Sequence, residues 1–442
     1  MTVRPGCAGC AALGLIALLF AGCETQASLT KKRTRLVEKG LLRAVTIKGQ
    51  RNEKLGLDSR LLFYKVPAAS LAVLDRNAVE WAKAYGVRDA LAPEPATAET
   101  LFQAGALSRP LVAAAALRLV GEGKITLDED VRPKLRGRRI SDDDVSGKGP
   151  ISLRGLLLDP SDAGFAVLQR LLEDVTASSF PDLMADKVLA PLGLRTGTFE
   201  AVLSKDRQVL AASGHGRDGR PIGGKGFNKP DLAAGGLWTN PTELLSFAAD
   251  LMRTAMGQGG RLLDADSARA MLTPQAGTRS LGFVVEGSGA DTRFHLRGRT
   301  EGFTCALDVY PYRGQGAVVM TNSDNGFLVT DEILRGVSAV YEWPDYKPQE
   351  KTLFRLDPSI YAQYVGRYEI TPDYVLDITH EDYYLVIRPT GQAPTKFYVE
   401  NPTFFFSVDP YIHIQFLTDP RGDVTGLVLW QQDFKQEARK TG

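Results

Sequence analysis

Apolar and polar residues change their spacing several times along the chain, and each change predicts a different element. "VPAASLAVL" and "AVEWAKAYGV" are apolar runs joined by Asp-Arg-Asn, the pattern of a β-hairpin. Residues 103–130, "QAGALSRPLVAAAALRLVGEGKITLDED", contain an alanine-rich helix that runs into a polar loop. "SSFPDLMADKVLAPLGL" and "NPTELLSFAADLMRTA" predict further helices. In the second, Asn240 stands as N-cap, Pro241 falls in the first turn, and Glu243 is placed to reach back to the cap. "LGFVVEG", "TCALDVYP" and "GAVVMTN" read as late strands and "TDEILRGVSAVYEW" as a closing helix. Strands at both ends with helices between predict an α/β (α+β) architecture, one antiparallel sheet flanked by helices.

The pattern breaks near "PDYKPQEKTLFRLDPS". Beyond it come short alternating runs with frequent turns: "YVLDITH", "YYLVIRP", "KFYVE", "TFFFSV", "IHIQFL" and "VTGLVLW". They predict a small C-terminal all-β domain, a barrel or sandwich, with its aromatics in the core. Ahead of the hairpin, "TKKRTRLVEKGLLRAV" predicts one basic helix. Its charges either attract anionic lipid headgroups or form the solvated face of a helix packed on the main domain, the reading favoured here. At the start, Arg4 is the one charge before "CAALGLIALLFAGC", an apolar run too short to span a bilayer comfortably. "LFAGC" resembles a bacterial lipoprotein signal, which implies that Cys23 is acylated as the first mature residue. The bland alternative is a plain secretory signal. The predicted division is a signal peptide over residues 1–22, a tether and basic helix over 23–59, the helix-and-sheet domain over 60–345 and the all-β domain over 346–442.

Bulk composition narrows the function. With 442 residues, 44% hydrophobic and 24% charged, the chain has room for two or more domains. A net charge of +1 and no basic stripe interleaved with aromatics argue against nucleic acid as a partner. Cys7 and Cys10 leave with the signal and Cys23 carries lipid, so Cys305 is expected as a small buried hydrophobe and no disulfide framework exists. His215, His295, His380 and His413 are scattered without ligand spacing, so neither a metal site nor a cofactor is expected. The place this implies is the bacterial cell envelope, lipid-anchored at the periplasmic face of the outer or inner membrane. Glu24 after the cysteine leans towards the outer membrane.

In order, "VPAASLAV", "YGV", "TLFQAG", "GEGKITLDEDV", "ISLRGLLL", "GFAVLQRLLEDV", "APLGL", "AAGGLW", "EGF" and "VVMTN" resemble the serine β-lactamase and penicillin-binding protein superfamily, in its class C β-lactamase and esterase branch. The resemblance covers roughly residues 60 to 340, and the C-terminal part is similar to the lipocalin-like β-domain that trails such hydrolases. It implies a β-lactamase/transpeptidase-like fold. It also implies three chemical elements: a serine opening a helix with a lysine three residues on, a Tyr-x-Asn loop that relays a proton, and a Lys-Thr-Gly or His-x-Gly strand beside the pocket.

None of the three is intact. Aligned without a gap, the serine position is Ala106 and the lysine position Arg109. Alanine has no atom that attacks a carbonyl, and arginine stays protonated, so it takes no proton. Pro110 is expected to push Arg109 out of helical angles and delay the helix. Pro160, Ser161 and Asp162 fall on the tyrosine loop, with Asp162 expected to cap the following helix. The strand motif falls on Leu296, Arg297 and Gly298, and His295 misses by one residue unless a β-bulge restores it. Ser108 lies about 200° round the helix from Ala106 and is expected as an N-cap. Ser161 has no nearby base.

The leading expectation is therefore a non-catalytic family member that binds a cell-wall fragment or an envelope protein partner. Ser108, Arg109, Asp162, His295, Arg297 and Arg299 are its candidate pocket. Arg109, Arg297 and Arg299 would suit a carboxylate if they converged, and the favoured alternative is that they are separate. Two other classes stay open: an active esterase, β-lactamase or D-amino-acid peptidase with a rearranged nucleophile, and a scaffold acting through the β-domain.

Overall fold

The computed structural model describes residues 25–136, 150–223, 231–431 and 434–441. The signal and Cys23 lie outside them.

Six antiparallel strands form the central sheet, in the spatial order Ala78–Gly86, Ala68–Asp75, Gln315–Thr321, Phe303–Tyr310, Arg293–Thr300 and Val284–Glu286. The first two make the expected hairpin, turning through Arg76 and Asn77, both at positive φ. Strand Ala68–Asp75 is buried along nearly its whole length because both faces of the sheet are covered. Ala68, Ala72 and Leu74 join the larger core, with the alanine-rich helix Ser108–Gly121 and helices Asp162–Thr176 and Pro241–Ala255. Ala69, Leu71 and Val73 pack on the other side, against helices Gln26–Glu38, Leu57–Phe63 and Gly326–Tyr341. Alternating side chains thus serve two cores.

The C-terminal domain is a closed barrel of eight strands between Gly366 and Lys440, each paired with the next and the last with the first. The six predicted runs are six of these strands. Gly366–Thr371 and Phe434–Lys440 complete the ring. Every strand contributes to one apolar cluster, among them Tyr368, Ile378, Leu385, Phe397, Phe405, Phe416, Leu427 and Ala438. Tyr361 and Tyr364, from the turn Pro358–Tyr364, join the same cluster. The interior is thus lined by its own side chains, as in small barrels.

The N-terminal segment departs from expectation. The basic stretch does not continue as one helix through "GLLRAV": it ends at Glu38, and Val45–Ile47 forms a strand parallel to Gln349–Lys351. Val45 and Ile47 then pack against Phe406 of the barrel, which removes them from any helix. The tether also shortens, since Thr25 caps a helix that begins at Gln26. Helix Pro241–Ala255 starts at Asn240, whose Oδ1 accepts from the Glu243 N–H at 3.1 Å. Glu243 does not reach back to that cap. Its carboxylate accepts from the Thr196 N–H at 2.9 Å and the Thr239 hydroxyl at 2.9 Å, so it ties down the preceding loop.

Candidate functional site

The turn Gly105–Leu107, which carries Ala106, is held by its backbone on both sides. Ala104 donates its N–H to Leu237 O at 2.9 Å and accepts from Cys305 Sγ at 2.8 Å. Gly105 lies at φ +52°, and a Cβ there would stand 2.6 Å from Arg299 N. A Cβ on Gly298 would fall 2.1 Å from Ala104 O. Two glycines therefore let the turn press onto strand Arg293–Thr300. Ala106, which the resemblance sets at the serine position, is half-buried where turn and strand meet.

The helix starts at Ser108, directly after the turn Gly105–Leu107, and is not delayed past Arg109 as the sequence reading expected. Arg109 is helical. Pro110 is tolerated because it falls in the first turn, where an N–H lacks an intrahelical partner in any case. The expectation that Pro110 displaces Arg109 is therefore corrected. Ser108 is not the N-cap either. That position belongs to Leu107, and the buried Ser108 Oγ accepts from the Leu237 N–H at 3.1 Å, pinning "AAGGLW" to the helix. The indole of Trp238, next to Leu237, meets the Phe303 ring edge-on at 5.5 Å.

Arg109 closes the site. Its Nη1 donates to Pro160 O at 2.6 Å, its Nη2 donates to Asp162 Oδ1 at 2.7 Å, and its guanidinium lies 4.8 Å over the Phe165 ring. Its Nε is buried without a partner. Asp162 was expected to cap helix Asp162–Thr176, but the cap is Ser161, whose Oγ accepts from the Gly164 N–H at 3.1 Å. Asp162 faces outward and pairs with Arg109 instead. Asp159, which sequence reasoning passed over, shapes this corner: its Oδ1 accepts from the Ser161 N–H at 2.7 Å. The signal was the "DPS" turn, a natural Asx arrangement.

Strand Arg293–Thr300 pairs with Phe303–Tyr310 without a register shift from Phe294 to Thr300. No bulge rescues His295. Leu296 and Gly298 face the alanine-rich helix, and His295, Arg297 and Arg299 point the other way. The His295 imidazole contacts Glu286 Oε2 at 3.1 Å, and burial, with help from Arg293, lowers its pKa. Arg297 donates to Asp308 Oδ2 at 2.6 Å and to the Tyr346 hydroxyl, beneath the helix Gly326–Tyr341. Arg293 reaches the same Asp308 at 3.4 Å. Arg299 lies 3.8 Å from Asp324. The three arginines do not converge, because the pleat separates Arg297 from Arg109. Of the candidate pocket, the structure brings together Arg109 and Asp162, with Pro160 as a main-chain acceptor.

Burial pushes the Cys305 thiol up, so it acts as a small core side chain. Among the described residues no group of histidine, cysteine and carboxylate side chains could hold a metal ion, and no helix is long and apolar enough to cross a membrane.

A helical layer covers each face of the antiparallel sheet, and a helix-opening turn presses against one of its strands. The sequence model of the Beta-lactamase family matches residues 57–158 and 161–339, and the chain belongs to that family. Among solved structures it is similar to the octameric penicillin-binding protein homologue from Pyrococcus abyssi, at 16% identity and TM-score 0.58, covering 86% of this chain and 97% of that one. SurE, in a structure with D-Leu, aligns at 18% identity and TM-score 0.53 over 94% of this chain and 100% of its own. The D-alanine carboxypeptidase AmpC from Burkholderia cenocepacia aligns at 16% identity and TM-score 0.52 over 70% and 99%. At such identities the likeness is one of fold. No curated protein matches the chain.

Proposed function

We propose that this chain is a lipid-anchored envelope member of the β-lactamase family that performs no acyl transfer and works as a binding or scaffold protein. One observation supports the reading: at the positions the resemblance gives the nucleophile and base stand Ala106 and Arg109, and the Arg109 guanidinium bonds to Pro160 O and Asp162. A guanidinium stays protonated at any physiological pH and accepts no proton. The hydroxyls nearby offer no substitute. Ser108 Oγ is buried against Leu237, and Ser161 Oγ is engaged as a cap. Deleting a serine protease's nucleophile alone costs roughly 10⁶ in turnover, and here base and relay are missing as well.

The fold relatives include a protein solved with D-Leu and a D-alanine carboxypeptidase, so a peptide bearing D-amino acids is the ligand class for any cleft that remains. With Arg297 and Arg299 turned away, such a ligand would draw on Arg109 at the expense of its pairing with Asp162. Envelope placement rests on "LFAGC" and Cys23.

The test is covalent labelling of the purified chain with a fluorophosphonate and a fluorescent penicillin, read by intact mass, beside an active serine hydrolase as control. No adduct is expected. An adduct mapped to Ser108 or Ser161 would establish the hydrolase reading in its place.

A further inference from the structure

We infer that the outer face of helix Gln26–Glu38, with Lys54 beside it, docks onto the phosphate-bearing headgroups of anionic lipids and lays the body of the protein against a membrane. The inference rests on the lipid-anchor reading for where that membrane lies, though not for the charge of the surface.

The helix divides into two stripes. Inward, the Thr30 hydroxyl donates to Glu80 Oε1 at 2.9 Å, Arg33 pairs with Asp75 at 2.9 Å and Glu80 at 3.2 Å, and Val37 is fully buried. Glu38, on the same side, takes Lys83 and the Tyr85 hydroxyl. Outward, Ser28, Lys31, Lys32, Arg35, Leu36 and Lys39 recur at steps of three and one, which is a single face of an α-helix. Together with Lys54 they line a shallow recess of about 420 Å³.

Two carboxylates near this stripe are engaged elsewhere, Glu38 as above and Glu53 with Arg43 at 3.4 Å. Among the described residues no carboxylate pairs with Lys31, Arg35, Lys39 or Lys54. Leu36, 46% exposed, stands amid the cations. A basic face of this kind is what the negative surface of a headgroup layer attracts.

Distance supplies the second argument. Gln26 follows Cys23 by three residues, so an acyl chain at Cys23 would hold the helix start within about 10 Å of the bilayer. That is roughly one Debye length, inside which a negative surface acts on lysine and arginine. Thirteen helical residues then offer a basic edge about 20 Å long. Each cation brought to such a surface is worth about five-fold in partition.

The experiment uses the full-length chain produced in bacteria, purified from the membrane fraction in its mature form and reconstituted on vesicles. One set contains phosphatidylcholine alone and the other phosphatidylcholine with phosphatidylglycerol. Lysines are acetylated briefly and read by mass spectrometry, and the N-terminal peptide reports whether Cys23 carries acyl groups. Supporting results are labelling of Lys31, Lys39 and Lys54 at least about five-fold lower on the anionic vesicles, with Lys124 and Lys435 unchanged, reversal by added salt, and loss of the effect in Lys31→Glu/Lys39→Glu. Equal labelling on both vesicles with Cys23 acylated overturns the inference and leaves the anchor standing. Protection without acylation overturns the anchor and leaves the stripe. Neither signal overturns both.

Discussion

Replacing Arg60 with methionine tests how the barrel is fastened to the β-lactamase domain. Arg60, on helix Leu57–Phe63, donates from Nε and Nη2 to the two Glu332 oxygens, both at 2.7 Å, and from Nη1 to Asp409 Oδ2 at 3.0 Å. Glu332 belongs to the helix Gly326–Tyr341 and Asp409 to a barrel hairpin, so one guanidinium bridges three elements. Burial alone would lower the Arg60 pKa, but the hydrogen bonds to Glu332 and Asp409 hold it above its ordinary value. Methionine keeps the apolar stem and leaves Glu332, its side chain 6% exposed, with the Tyr64 hydroxyl at 2.7 Å as its remaining partner. Stranding a buried charge costs about 3–5 kcal/mol. Asp409 is more exposed and retains Arg43 at 3.1 Å, so its share stays within about 1 kcal/mol. The total is a large fraction of the roughly 5–15 kcal/mol that holds a domain folded. Arg60→Met/Glu332→Met removes both charges and should recover most of the loss. Urea unfolding followed by tryptophan fluorescence measures both variants. A single variant within about 1 kcal/mol of wild type, or a double variant no better than the single, refutes the reasoning.

Arg109→Met releases Pro160 O and Asp162 together and should cost about 1–3 kcal/mol in thermal or urea unfolding, with Arg109→Lys between it and wild type. A melting temperature unchanged in Arg109→Met would contradict the closure described. Gly298→Ala should lower stability by about 1–3 kcal/mol, because its Cβ meets Ala104 O at 2.1 Å and Cys305 Sγ at 2.5 Å, neither of which moves freely. Wild-type stability there would mean that the turn is less tightly pressed. Acid should destabilise the fold through His215, whose Nδ1 faces Asn322 O at 2.8 Å while Nε2 accepts the Ala90 N–H at 3.1 Å. Burial lowers its folded pKa, so its contribution is full above the ordinary imidazole value of 6.5 and is lost as pH falls below it. Unfolding free energy measured from pH 7 to 5 should drop by up to about 1.4 kcal/mol per unit for this group, and His215→Asn should flatten that slope relative to wild type. Equal slopes would rule His215 out.

Where burial follows a simple period, the chain announced its structure. The hairpin Ala68–Gly86 and six barrel strands were legible because apolar runs and turn residues alternate there. The barrel's first and last strands were not, since "GRYEIT" and "FKQEARK" carry charged residues and few apolar ones. Ala106 and Arg109 could be read as chemically empty from residue type alone. What Arg109 does instead could not, because its partners lie 51 and 53 residues away and depend on how helix Asp162–Thr176 approaches. The face occupied by His295 likewise depended on register, which the unshifted pairing and the closeness of Gly298 to Ala104 decide.

These contacts also bear on whether one substitution could rebuild the chemistry. Gly105 against Arg299, Gly298 against Ala104 and Ser108 against Leu237 hold the turn through backbone and small groups, so they stabilise the fold whatever stands at residue 106. A serine placed there would find at residue 109 a guanidinium that takes no proton and is directed at Pro160 O and Asp162. A lysine at 109 would trade a planar fork with two acceptors for a point charge able to satisfy them less well, while residue 160 would still be a proline. Of residues 106, 109 and 160, the structure joins the last two, through Arg109 Nη1 and the main-chain oxygen of Pro160 at 2.6 Å. On the non-catalytic reading proposed above, restoring residue 106 alone would leave it without a base, and no single reversal would raise turnover.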